Sequence, residues 1–281
     1  ARQMMDRMKE IIKQNGNPVR GSDHYSVMDN YQKMEMFLNA ARQEEKDNVI
    51  LYEIDIDGGI TRKEYTYDGE NMFVMSAKML WNDDTEPMLT YISLSKIKEW
   101  KYTEYGNFCY EVCVPEPPEV TEIVDGSCII RVRPLNEECL EYSEKYVGPL
   151  GYQGNNLLCS NWNIENMQDL DYNGIFEYLY NMKYGKKFSN ETGVAGVTAD
   201  EFESVIMTYL PVTAEELKEW AVYDEQSNTY AWQRLGCGNY APTHFGLSLP
   251  EVIEIKHNED GTVVLTINAV CDSVVCNDAV I

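Results

Sequence analysis

The chain has 281 residues and a formal net charge of −24. That length suggests about two domains and is ample for a sizeable core. A field of that sign repels nucleic-acid phosphates and anionic headgroups, which excludes nucleic-acid binding and favours a solvated acidic surface. An apolar fraction of 44% excludes a disordered chain.

The first elements are helical. Residues 4–14 read as a short amphipathic helix stopped at Asn15-Gly16. Residues 27–46 read as a longer one, with Met28, Tyr31, Met34, Phe37, Leu38 and Ala41 at helical spacing. From Asn48 the apolar period changes to two. NVILYEIDI, ITRKEYTY, NMFVMSAKMLW, MLTYISL, KIKEWKYTE and NFCYEVCV follow one another, broken at Asp57-Gly58-Gly59, Asp68-Gly69, Asn82-Asp83-Asp84 and Tyr105-Gly106. Asp-Gly between alternating runs marks hairpins, so the pattern predicts an antiparallel meander. The Pro-rich segment 115–120 interrupts it, and SCIIRVR adds a strand.

Residues 1–150 are therefore expected to form helices packed on a curled antiparallel sheet. Residues 151–281 are expected to form a helical segment followed by a β-hairpin, an α+β arrangement throughout. In the second part Asn173 is the expected cap of a helix through residues 174–185. Val197-Thr198-Ala199-Asp200-Glu201-Phe202 is echoed by Val212-Thr213-Ala214-Glu215-Glu216-Leu217, each with the pattern of a capping box and hydrophobic staple. A hairpin turning at Asp260-Gly261 and a last strand at 274–281 finish the chain.

No stretch approaches the roughly 20 apolar residues that span a bilayer. The chain begins at Ala1, which suggests a processed form or fragment, with a signal peptide or lipid-anchored cysteine upstream. Eight cysteines are present: Cys109, Cys113, Cys128, Cys139, Cys159, Cys237, Cys271 and Cys276. Disulfides are the favoured reading for some, then buried thiols, then metal. Cys109 and Cys113 lie about 13 Å apart on one strand face, too far to bond each other, which leaves Cys128 as a plausible partner.

Two segments have the oxygen spacing of calcium loops. Residues 53–64 place Glu53, Asp55, Asp57 and Glu64 around Gly58, but their strand-like flanks favour a hairpin turn. In the second, Asp169, Asp171 and Asn173 precede Gly174, with Glu177 as a further oxygen, so Ca²⁺ is the one cofactor the sequence suggests. Against it stands an acidic loop that caps a helix. Cys237 and His244, with Asn239 between, could serve a Cys-based hydrolase as nucleophile and base. Trp81, Trp100, Tyr102, Tyr105, Tyr110 and Trp162 could stack on a sugar or peptide, although alternation puts half of them in the core.

The order of helices and the runs YDGENMFVMSAKMLW, IKEWKYTEYGNFCYEVCVPEPPEV, LGYQGNNLLCSNWN and GCGNYAPT resemble a family of uncharacterised exported or lipid-anchored proteins of Gram-positive gut anaerobes. The resemblance implies an extracellular or cell-envelope location and says nothing about catalysis, because that family has no assigned activity. At fold level the first half resembles periplasmic lipoprotein-carrier sheets and the second a nuclear-transport-factor-like fold. The functional expectation is a non-enzymatic domain that binds a surface ligand or protein. A Cys/His hydrolase and a calcium-stabilised structural domain are the alternatives.

Overall fold

The structure is a computed structural model that describes residues 2–23, 25–55, 58–81, 86–113, 126–150, 157, 162–190, 196–233, 248–271 and 279–280. It has two compact units. One comprises residues 1–140 with 270–279, the other 141–269 with 280–281.

The first unit is a seven-stranded curled sheet in the order β1-β2-β3-β4-β5-β6-β7. Its strands are Val19–Gly21, Asp47–Asp55, Gly59–Tyr67, Met72–Leu80, Met88–Tyr102, Asn107–Val112 and Ser127–Arg131. Strands β2 to β7 form the expected antiparallel meander. Gly69 and Gly106 supply the positive φ angles of two of its turns. β1 departs from the sequence reading, because it pairs parallel to β2 through only three residues, too short for a period to register. MLTYISL and KIKEWKYTE join in one strand, with a register irregularity between Ile97 and Glu99.

Two helices take opposite faces of this sheet. α2 (Tyr31–Arg42) buries Met34, Phe37, Leu38 and Ala41, one stripe of a 3.6-residue period. That stripe packs on Val49, Leu51, Tyr65, Val74, Phe108 and Tyr110. The register explains the set: Val49 pairs with Tyr65 and Tyr65 with Val74, so alternation places them on one face. α1 (Arg2–Gln14) buries Met5 and Ile12 with Val19 and the cross-strand pair Ile54 and Ile60, which alternation sends to the other face.

After the short helix α3 (Glu137–Tyr142), the second unit's α4 (Tyr172–Tyr184), α5 (Ala199–Tyr209) and α6 (Ala214–Trp220) surround a core built on stacked rings. Phe176 stacks on Phe202 at 5.1 Å between centroids, and Phe202 on Tyr230 at 4.1 Å. A small sheet of β8 (Val197–Thr198), β10 (Thr229–Tyr230) and β9 (Tyr223–Asp224) borders this core. The hairpin of β11 (Ser248–His257) and β12 (Val263–Cys271) turns where expected, with Gly261 at φ 84° and the Asp260 carboxylate accepting from the Thr262 amide.

The two capping motifs behave differently. Thr213 and Glu216 form the full reciprocal box at the start of α6. Thr198 caps α5 without a side-chain bond, because it is the end of β8, and the Ala199 amide donates to the Asn228 carbonyl instead. Both staples form: Val197 with Phe202, and Val212 with Leu217, are buried in the same core.

Candidate functional site

The sequence-flagged calcium segment has a local use. Asp171 is the N-cap of α4, two residues earlier than expected, and its carboxylate accepts from the Gly174 amide at 2.9 Å. A Cβ on Gly174 would lie 2.3 Å from an Asp171 oxygen, which accounts for a glycine in this helical turn. Asn173 instead faces inward. Its Nδ2 donates to the carbonyls of Ala231 (2.8 Å) and Val222 (3.3 Å), and its Oδ1 accepts from the Val222 amide at 2.8 Å. Asp169 accepts from Asn166 Nδ2 at 3.3 Å, and Glu177 is buried. Among the described residues no three His, Cys, Asp or Glu side chains are gathered as metal ligands.

The hairpin reading of residues 53–64 holds, with β2 running to Asp55 and β3 starting at Gly59; Asp57 lies outside the described residues. Glu53 pairs with Lys63 at 2.6 Å and Asp55 with Lys78 at 2.7 Å. Burial pulls the Asp55 carboxyl upward. Hydrogen bonds from Lys78 and Ser22, with the charges of Lys78 and Lys63, outweigh that and hold it below the usual carboxylate range.

Cys109, Cys113, Cys128 and Cys139 are thiols and not disulfide-bonded. Cys128 as the disulfide partner of Cys109 or Cys113 is corrected by the register. Cys128 stands opposite Tyr110, and Cys109 opposite Ile129, so Cys109 and Cys128 project from opposite faces of the sheet. Cys113 lies four residues beyond Cys109 and shares its side. The other four cysteines, including Cys237, and the His244 base lie outside the described side chains.

Most of the flagged aromatics are structural. Tyr102 and Tyr110 are buried in the α2 core, against which Trp100 also packs. Trp81 packs against the α1 cluster, and Trp162 packs on the second unit's core with its indole donating to the Leu157 carbonyl.

An aromatic groove that the sequence reading missed lies in the second unit. It encloses about 360 Å³ beside the small sheet and is lined by Gly196, Val222, Tyr223, Asp224, Thr229, Tyr230, Ala231 and Trp232. Tyr223 packs 4.8 Å from Tyr230, extending the Phe176–Phe202–Tyr230 stack from the core to the groove. The Trp232 ring packs edge-on against Phe188, and its buried indole N–H has no hydrogen-bond partner among the described residues. An indole N–H usually finds a partner when buried, and leaving one unmade costs about 1–3 kcal/mol. Asp224 sits below the usual carboxylate range because the Ser227 hydroxyl and the Gln226 amide donate to it.

Two further residues shape this groove. Asn173 ties Val222 and Ala231, one lining residue from each side of the β9–β10 turn. Gly196 has φ 97°, and a Cβ there would meet the Tyr230 carbonyl oxygen at 2.4 Å. Only glycine lets the backbone approach so closely. The groove escaped the sequence reading because β8, β9 and β10 are two residues each; the available signal was the pair Tyr223-Asp224 and Thr229-Tyr230 around a polar turn.

These features define a two-unit α+β protein with an aromatic groove held open by a buried asparagine bridge. The chain matches along residues 1–281 the model of a family of unknown function, DUF6070, and belongs to that family. No curated protein and no solved structure matches it.

Proposed function

We propose that this chain is a non-enzymatic binding protein of the cell envelope or exterior, and that its ligand seats in the groove lined by Tyr223, Tyr230 and Trp232. The observation that carries this reading is the Trp232 indole N–H, a donor without a partner among the described residues, on a ring that lines the aromatic groove. Once a side-chain shift turns this N–H into the groove, an oxygen acceptor arriving with the ligand satisfies it. The volume is that of small-molecule sites. The chain's charge of −24 disfavours anions, and the ionised Asp224 accepts hydroxyl donors. A neutral saccharide meets all of these conditions: an apolar C–H face for the rings, and hydroxyls that both donate and accept.

The location rests on the sequence resemblance to exported or lipid-anchored proteins and on the acidic composition. Among the described residues no helix is long and apolar enough to cross a membrane.

The test is a two-dimensional NMR titration of the ¹⁵N-labelled full chain with soluble glucose and N-acetylglucosamine oligomers. The Trp232 indole resonance, assigned through Trp232→Phe, is expected to move downfield and saturate. An indole resonance unmoved by every oligomer would overturn the ligand assignment. Recovery of the protein from the cytoplasmic fraction of its own cells would overturn the location.

A further inference from the structure

A second cavity lies in the first unit. It encloses about 360 Å³ and is lined by Pro18 after α1, by Lys33 and Met36 of α2, and by Asp47, Val49 and Ile50 of β2. The sheet register brings these residues together. Asp47 stands opposite Tyr67, and Val49 opposite Tyr65, and both tyrosines belong to the core beneath α2. Directly opposed residues share a face, so the Asp47 side chain lies on the face that α2 covers. Lys33 and Met36 are three residues apart on α2 and project from one side of it, next to the buried stripe. The Lys33 ammonium reaches the turn after α1, where a Cβ on Gly16 would lie 3.4 Å from Nζ.

Both charges in this cavity lack an opposite partner among the described residues. Lys33 makes no ion pair or side-chain hydrogen bond there. Asp29, the acid four residues before it, is taken by Lys9 and Lys13. Asp47 meets no cation, and one of its oxygens accepts from the Asn48 amide at 2.8 Å. The strand adds backbone groups. The Tyr52 amide donates to the Pro18 carbonyl, and bonding direction alternates along β2, so the Ile50 amide and carbonyl point to that same edge. Pro18, Met36 and Val49 supply apolar wall. A simple anion would suit Lys33, but Asp47 and the chain's charge of −24 repel it. A simple cation would suit Asp47 but meets Lys33. A net-neutral zwitterion avoids both conflicts, and the volume, at the small end of ligand sites, holds one amino acid.

We propose that this cavity binds a free apolar α-amino acid, with its carboxylate on Lys33, its ammonium on Asp47 and its side chain against Met36 and Val49. Equilibrium dialysis of the full chain with radiolabelled L-leucine and L-methionine tests it. Saturable binding is expected. Leucinamide and N-acetyl-leucine each lack one charge and should compete more weakly than leucine by on the order of tenfold. Lys33→Met should weaken leucine binding and erase its advantage over leucinamide. Asp47→Asn should erase its advantage over N-acetyl-leucine. Neither side chain is in the core, so circular dichroism should be unchanged in both variants. Failure of both amino acids to bind at millimolar concentration would overturn the proposal. So would analogues that compete with the wild type as well as leucine does, or folded variants that keep either preference.

Discussion

Asn173 Oδ1 accepts from the Val222 amide at 2.8 Å while its Nδ2 donates to the carbonyls of Val222 and Ala231, so one side chain closes both ends of the β9–β10 turn onto α4. Asn173 is 3% exposed, and water does not replace these bonds if the side chain is removed. Asn173→Ala is expected to cost about 3 kcal/mol in urea denaturation, toward the upper end for a buried network. Asn173→Asp is the sharper probe. A carboxylate turned toward two carbonyls loses both donations and gains repulsion, so it should destabilise at least as much as alanine. In a calcium loop the added carboxylate would instead strengthen the metal and raise the midpoint in calcium buffer. The sign of the change in calcium decides between bridge and loop.

The two helix starts that share a sequence pattern should respond unequally. Thr213→Ala removes a side-chain acceptor used by the Glu216 amide at 3.3 Å and is expected to cost about 1 kcal/mol. Thr198→Ala removes no cap bond and should cost a few tenths at most. Equal losses in parallel denaturant titrations would show that the box contributes nothing beyond helix propensity.

The contrast between those threonines also marks what a single sequence can reveal. Long alternating runs and 3.6-residue stripes act locally, so the meander, α1, α2 and the helices of the second unit were legible from spacing. Pairing of short segments is decided by distant partners. β1 is a strand because Arg20 lies beside Glu53, and β10 because Thr229 meets both Thr198 and Asp224. The groove inherits that illegibility, since its walls are those two-residue strands. Asp171 and Asn173 stand out in the sequence by their oxygen spacing, but that spacing does not distinguish a cap and a bridge from a metal shell.

Acid stability has one identifiable contributor in the first sheet. Asp55 titrates below its unfolded value of about 3.9 because Lys78 and Ser22 stabilise its charged form. Its contribution is therefore fully present above that value and lost as pH falls through the lower, folded one. The Asp55–Lys78 pair is partly exposed, so screening limits it to under about 1 kcal/mol. Asp55→Asn should lose that amount in urea at neutral pH and match the wild type more closely at about pH 3. A variant that is equally destabilised at both would assign the loss to packing.

At alkaline pH the buried phenols of the first unit set the limit. The hydroxyls of Tyr65 and Tyr110 lie 3.2 Å apart with both rings buried, and their rings meet edge-on at 5.8 Å. Burial is the largest cause that raises both above the ordinary tyrosine value, reinforced at Tyr110 by Tyr65 and Cys128. The raised folded value means that stability is complete below the unfolded value of about 10. It declines as pH rises beyond that, because only the unfolded chain then releases those protons. Ultraviolet titration of the full chain should show the two buried phenols ionising only together with unfolding. Tyr65→Phe removes one ionisable group and should move the alkaline unfolding midpoint upward. At neutral pH it should cost about 1 kcal/mol for the lost hydroxyl contact. An alkaline midpoint that stays put or falls in Tyr65→Phe would mean that the pair does not govern base unfolding.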